Sequence, residues 1–261
     1  MEQFSEIIAR ELQLKSKQVA ATMALFEDGA TVPFIARYRK EATGMLDETQ
    51  ITAVRDRLAQ LGELEKRRNA MIVSLTERSL LNDELNRKLM GASSLTLLED
   101  IYLPYRPKRR TKSTIAREKG LEPLAKAIFA QDNRPLQPDS FINPAKEVLT
   151  RDDALAGARD IIAEWISEEA QTRAKLRNLF AQEAVITSCV AKKKEESGSK
   201  FRDYFNWQEP APKVPSHRLL AMFRGENEKV LSLTLRPSEE RALSILLRFY
   251  VKAKNEAAQQ V

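Results

Sequence analysis

The amino-acid sequence predicts a mainly α protein: a multi-helix array with a helix-turn-helix-like N-terminal part and one or two short strands near 184–190 and 230–236. Three observations predict it. Glycine (8) and proline (11) are scarce among 261 residues, which is too few turn formers for an all-β fold. Apolar residues recur at spacings of three and four over long stretches, the stripe of an amphipathic helix. Runs that are β-branched or strictly alternating are confined to two short segments. The length suits one large or two modest domains with ample core. The sequence divides into a helix-turn-helix-like N-terminal domain (1–78), a helical domain with a basic loop at 102–119 (79–190), and a helical segment with a short strand (191–261).

Residues 3–13 predict a first helix with Phe4, Ile7, Ile8 and Leu12 on one side. Ser16 predicts the cap of a second, over Lys17–Asp28, with Gly29 stopping it. Thr31-Val32-Pro33 restarts the chain, with proline in a first turn where its missing donor costs nothing, and predicts a short helix through Lys40. Asp47 with Gln50 resembles a capping box opening a long helix to about Thr76, whose stripe is Ile51, Val54, Leu58, Leu61 and Leu64, then Ile72 and Leu75. In the cluster Lys66-Arg67-Arg68, Glu63 and Arg67 stand at the spacing of an intrahelical pair. Two short helices are expected over 80–103, a helix over Leu121–Ala130 with Pro123 in its first turn, and another over Ala145–Leu149 after Asn143-Pro144. Asp152 or Asp153 caps a helix with Leu155, Ala158, Ile162, Trp165 and Ile166 inward, and the next carries Leu176, Leu179 and Phe180. After the strand at 184–190 come a polar turn (192–200) and the aromatics Phe201, Tyr204, Phe205 and Trp207, read as core, helical at first. A helix opens at Pro215-Ser216-His217-Arg218, a strand spans Val230–Arg236, and a final helix starts from Ser238.

The charge is concentrated. From Tyr102 to Lys119 the chain holds Arg106, Lys108, Arg109, Arg110, Lys112, Arg117 and Lys119 against Glu118 alone, a local excess of +6. Removing these seven cations and one acid from the chain totals of 43 and 37 leaves 36 of each sign, so the whole formal excess sits in this segment. Pro104 and Pro107 disfavour helical geometry in the residues before them, which predicts an extended, stiff loop. Thr111 or Ser113 caps the short helix that follows. Such a loop suits a polyanion: guanidinium and ammonium groups meet phosphates, and the Tyr105 ring offers a stacking face. The other reading is a solvated loop with its tyrosines in the core. Helix, glycine-containing turn and helix before Lys40 admit two readings as well. Arg37, Arg39 and Lys40 either reach DNA phosphates and base edges or pair with local acids such as Glu41.

No catalytic constellation is legible, so no enzymatic activity is expected. His217 is the single histidine, which removes metal sites of the His/Cys kind, and it is expected to cap its helix. Cys189, the single cysteine, is expected as a small buried hydrophobe and rules out an intramolecular disulfide framework. No segment matches a phosphate-cradling glycine loop, and no cofactor is implied. Glu99-Asp100 and Asp152-Asp153 are sequence neighbours that diverge on a helix. No apolar run nears the ~20 residues of a bilayer span, and the start lacks a secretory signal, so a cytoplasmic protein without a membrane partner is expected.

Three segments carry a resemblance. Thr31-Val32-Pro33-Phe34-Ile35-Ala36-Arg37-Tyr38-Arg39-Lys40-Glu41 with Thr43-Gly44 and Leu46-Asp47-Glu48 is the first. The others are Tyr102–Lys112 and Pro215-Ser216-His217-Arg218 with Arg224-Gly225. In order and spacing they resemble the N-terminal region of the bacterial Tex (transcription accessory protein, YhgF-like) family. The resemblance implies a helical fragment of a longer nucleic-acid-binding protein acting in transcription, followed by a ribonuclease-H-like domain, helix-hairpin-helix modules and an S1 domain. The expectation is therefore a noncatalytic nucleic-acid-binding region for RNA or DNA. Arg106, Lys108, Arg109, Arg110 and Lys112 would contact phosphates, Tyr105 would stack, and Arg37, Arg39 and Lys40 would be secondary contacts. The alternative is a scaffold that docks on RNA polymerase or on the remaining domains of the parent protein.

Overall fold

In the computed structural model, which describes residues 2–107, 110–132, 134–196 and 198–261, the chain divides into two units, Met1–Arg106 and Pro107–Val261. The fold is mainly α, with one small three-stranded antiparallel sheet. Among the described residues no helix is long and apolar enough to cross a membrane.

The first unit contains α1 (Glu2–Leu12), α2 (Ser16–Glu27), α3 (Val32–Tyr38), α4 (Glu48–Glu77), α5 (Asp83–Gly91) and α6 (Leu95–Tyr102). The expected capping box starts α4: Asp47 Oδ1 accepts from the Gln50 amide at 2.7 Å, and Gln50 Oε1 accepts from the Asp47 amide at 3.0 Å. At 30 residues α4 is about 45 Å long, and its stripe is the spine of the unit. Val54 and Leu61 pack with Ile8, Val19 and Met23 of α1 and α2. Ile51 packs with Val32, Ile35 and Ala36 of α3. Leu64, Met71 and Leu75 pack with Leu85, Leu89, Leu98 and Tyr102 of α5 and α6. Burying each such side chain contributes about 1.5–3 kcal/mol.

Arginines within α4 and just past its end tie down the two helices after it. Arg67 pairs with Glu99 at 2.6 Å, not with Glu63 as the helical spacing suggested, because α6 brings a carboxylate to it from across the unit. That hydrogen bond raises the guanidinium pKa above its ordinary value. Arg68 is buried; its Nε donates to the Leu89 carbonyl (3.0 Å), its Nη2 to the Ala92 carbonyl (2.9 Å), and Nη1 to Glu65. Both carbonyls lie at the C-terminal end of α5, where that of Leu89 also accepts from the Ala92 amide at 3.3 Å, so a charge in the core is satisfied by a helix terminus. At the C-terminal end of α4, Arg78 Nη1 donates to the Tyr105 carbonyl at 2.6 Å and Nη2 to the Tyr102 hydroxyl at 3.3 Å.

The second unit contains α7 (Lys112–Glu118), α8 (Glu122–Ala130), α9 (Arg151–Glu168) and α10 (Ala170–Glu183), then β1 (Val185–Val190), β2 (Asn206–Pro210), α11 (Ser216–Asn227), β3 (Leu231–Arg236), α12 (Glu239–Tyr250) and α13 (Glu256–Gln260). The sheet order is β2-β1-β3, with Ser188 opposite Trp207 on one side and Leu233 on the other. The helical core gathers Leu124, Ala125 and Ile128 of α8 against Ala154, Ala158, Ile161 and Ile162 of α9. Gly157 makes this packing possible: a Cβ there would lie 2.3 Å from Leu121 Cδ1. Gln131, in the left-handed region at φ 51°, accepts from the Lys252 amide at 2.8 Å, and the Asn255 amide group donates to its carbonyl at 3.0 Å. This glutamine fastens the segment after α12 to the end of α8.

Several expectations are corrected. Residues 145–149 form no helix; a 3-10 turn at Pro144–Lys146 closes with Glu147 at φ 56°, and the Asn143–Val148 bridge pulls the chain back. Thr150, not Asp152 or Asp153, caps α9, with Asp153 returning the bond to the Thr150 amide. Those hydrogen bonds hold the Asp153 carboxyl below its ordinary pKa. A third strand, β2, was not expected. Cys189 is exposed, because Ile186 and Ser188 take the inward positions of β1. His217 forms no cap; it lies in the first turn of α11, which starts without a side-chain cap.

Two substitutions test this framework. Arg68→Leu removes the guanidinium donor from the Ala92 carbonyl and leaves the Leu89 carbonyl with the Ala92 amide alone, and it is expected to lower unfolding free energy by about 2 kcal/mol, read from the denaturant midpoint. Arg78→Met is expected to speed hydrogen exchange at the Arg106 amide by about tenfold while the global midpoint changes little, since it releases only the chain leaving α6.

Candidate nucleic-acid interface

The basic segment crosses the border between the two units, and each half is positioned within its own. Tyr102 closes α6 with its ring buried and the Arg67 guanidinium 5.9 Å from its centroid. Leu103–Tyr105 is a 3-10 turn, with Leu103 at φ −52°, ψ −43° despite the proline that follows. The expected extended loop is thus tightened at its start, because Pro104 needs no donor in a first turn and Arg78 holds the Tyr105 carbonyl. The Tyr105 ring is half-buried against the Leu85–Leu98 cluster. Arg106, at φ −64°, ψ 136°, is extended before Pro107 and exposed, and it forms no ion pair among the described residues. Lys108 and Arg109 lie outside the described residues.

In the second unit Arg110 is exposed and donates to Glu118 Oε2 at 3.0 Å. Both partners are well solvated, so the pair contributes about 0–1 kcal/mol and a phosphate can displace it. Thr111 caps α7, its hydroxyl accepting from the Thr114 amide at 3.2 Å. Lys112 follows, exposed and without an ion-pair partner among the described residues. Two further cations are drawn into structure. Arg117 donates to Glu164 Oε2 at 2.5 Å, beside the buried Ser113 hydroxyl that donates to Oε1. Lys119 donates to the Glu147 carbonyl at 3.1 Å. The hollow of about 220 Å³ beside Lys112 and Lys119 also carries Glu147, Asp153 and Asp160, a mixture of signs unsuited to an anion.

Arg37, Arg39 and Lys40 form a separate surface. Only Arg37 lies within α3; Arg39 ends it and Lys40 is beyond, so the three do not share one helical face. All are exposed, and none pairs with an acid among the described residues, Glu41 included. The turn that carries Lys40 is pinned from beneath. The buried Thr43 hydroxyl donates to the Lys40 carbonyl at 3.1 Å, and Gln18 Nε2 donates to the Gly44 carbonyl at 2.7 Å. Gly44 is at φ +64° with Gln18 only 3.0 Å from where a Cβ would stand, so glycine is required by conformation and by space. Within the first unit this turn sits at the start of α4 and Tyr105 at its end, about 40 Å of helix apart, so Arg37, Arg39 and Lys40 stand far from Tyr105 and Arg106.

Sequence reasoning missed the apolar side chains of this second surface. Phe34, Tyr38 and Met45 are 41%, 69% and 69% exposed. Phe34 and Tyr38 were visible as an i,i+4 pair off the Val32–Ile35–Ala36 stripe, but Met45 was not, since its exposure depends on a left-handed residue at φ 69°.

Comparison with known proteins places the chain. Residues 2–76 match the Tex-like protein N-terminal domain, and residues 133–260 match the Tex central region. Protein YhgF of Escherichia coli is 47% identical over 234 residues, which is 89% of this chain and 30% of that protein. Transcriptional accessory protein Tex of Neisseria gonorrhoeae is 44% identical over 234 residues, 89% of this chain and 31% of that protein. S1 RNA-binding domain-containing protein 1 of Pongo abelii is 30% identical over 242 residues, 90% of this chain and 24% of that protein. The chain spans about a third or less of the length of these relatives. With its N-terminal and central segments matched in order, the chain belongs to the Tex family.

Proposed function

We propose that this chain is a noncatalytic nucleic-acid-binding region of a transcription accessory protein, and that the segment from Tyr105 to Lys112 meets the phosphates of RNA or DNA. One observation carries the reading: the whole formal excess of +6 lies in one segment, where Arg106 and Lys112 face solvent with no carboxylate partner among the described residues. Arg106, Lys108, Arg109, Arg110 and Lys112 act by releasing condensed counterions, an interaction without sequence preference. Tyr105, held by Arg78 and half-buried, offers the exposed part of its ring to a base at the edge of that contact. The printed names of two relatives, a transcriptional accessory protein and an S1 RNA-binding domain-containing protein, support a role of this kind. Arg37, Arg39 and Lys40, at the far end of α4, serve as secondary contacts at most.

The test is a salt titration. With five phosphates neutralised, log K is expected to fall against log salt with a slope of about −3.5 on single strands and about −4.5 on duplex. Arg109→Ala with Arg110→Ala is expected to flatten that slope by about 1 to 2 units on every probe sequence alike. A slope unchanged in the double variant would move the function to a protein scaffold that docks on RNA polymerase or on the rest of the parent protein.

A further inference from the structure

Beyond that reading, the surface between α3 and α4 has a chemistry of its own. We propose that it docks an acidic protein segment anchored by a large apolar side chain. Between Phe34 and Met45 the chain exposes three large apolar side chains, Phe34, Tyr38 and Met45, and three cations, Arg37, Arg39 and Lys40; Phe34 touches both Tyr38 and Arg39. Residues Arg37 to Ala42 line a hollow of about 400 Å³, in which Glu41 is the one carboxylate against three cations. Tyr, Phe, Met and Arg are the residue types enriched at protein interfaces, and a tyrosine beside an arginine is the usual composition of a strong anchor site.

The backing is rigid. Thr43 and Gln18 hold the Lys40 and Gly44 carbonyls from below, and the Met45 amide donates to the Lys40 carbonyl at 2.7 Å. A partner therefore meets a preformed surface and little conformational freedom is lost on binding. Charge decides the class of partner: three cations with no ion-pair partner among the described residues, beside the exposed Phe34 and Tyr38 rings, complement carboxylates placed around an apolar side chain.

The ring geometry favours a protein over a nucleic acid. Phe34 and Tyr38 meet at 45° with centroids 5.5 Å apart, so they frame no parallel slot for a base. The Arg39 guanidinium stands 5.6 Å from the Phe34 centroid and occupies one of its faces. Met45 is soft, apolar and exposed, a side chain that adapts to an apolar partner and stacks poorly.

Selection from a random short-peptide library on the full chain tests this, with Arg37→Gln/Arg39→Gln/Lys40→Gln as counter-selection. Peptides rich in Asp and Glu around a large apolar residue are expected to emerge. A synthetic copy of the strongest is expected to bind about tenfold more weakly to Tyr38→Ala and to Arg39→Gln, while Tyr38→Phe retains most of the affinity. Circular dichroism melting of each variant separates lost binding from lost folding. Failure to enrich acidic peptides overturns the proposal, as does affinity indifferent to Tyr38→Ala. Oligouridine binding that falls in Tyr38→Ala while peptide binding does not would assign the surface to nucleic acid instead. Tyr38→Ala removes no cation, so with that variant the salt slope of the segment from Arg106 to Lys112 stands or falls separately.

Discussion

The apolar stripe of α4 is the constraint on which the first unit depends. Three clusters along it seat α3, then α1 and α2, then α5 and α6, while α1 and α2 also pack on each other, as do α5 and α6. Isolated helices of 7 to 12 residues are marginal in water, so their existence here is a consequence of packing on the spine. The same helix sets two exposed, cation-bearing stretches of the first unit apart. The cation-bearing turn hangs from its beginning, and the exit toward the basic segment is held by Arg78 at its end. Within the first unit α4 thus keeps Arg37, Arg39 and Lys40 far from Tyr105 and Arg106.

Charge is the second organising element, and its uses differ by burial. Arg68 and Arg117 are partly or wholly removed from water and are met by carbonyls or by Glu164, so each fastens one helix to another. An arginine left buried without such partners would cost several kcal/mol. Arg106, Arg110 and Lys112 remain solvated, and their contribution to stability is small. Seven cations of one short segment therefore include both structural and exposed members, and only the exposed ones can release counterions to the advantage of a nucleic acid.

Much of this was legible in the sequence, because helices announce themselves locally. The Asp47–Gln50 box, the α4 stripe, Pro33 and Pro123 in first turns and the central strand β1 with its neighbour β3 are all short-range signals that the structure follows. The failures were non-local. The strand at Asn206–Pro210 holds a proline and charged or amide side chains, and it exists because β1 offers it an edge; proline is tolerated at such an edge. Arg67 chose Glu99 over Glu63 because tertiary packing delivered a carboxylate that helical spacing did not foresee. At the candidate sites, composition located the basic segment, but the loss of Arg117 and Lys119 to Glu164 and Glu147 required the fold. The exposure of Tyr38 and Met45 likewise depends on how a pinned turn directs the chain, which no periodicity encodes.

The central claim is that solvated cations between Arg106 and Lys112 are where this chain meets a polyanion. The most direct measurement is ultraviolet cross-linking of the chain to a uridine-rich oligonucleotide at low salt, with the adducts mapped by mass spectrometry. Adducts clustered within residues 102–119 and suppressed by added salt are the predicted result. Adducts confined to the sheet or to α3, with none in that stretch, would contradict it.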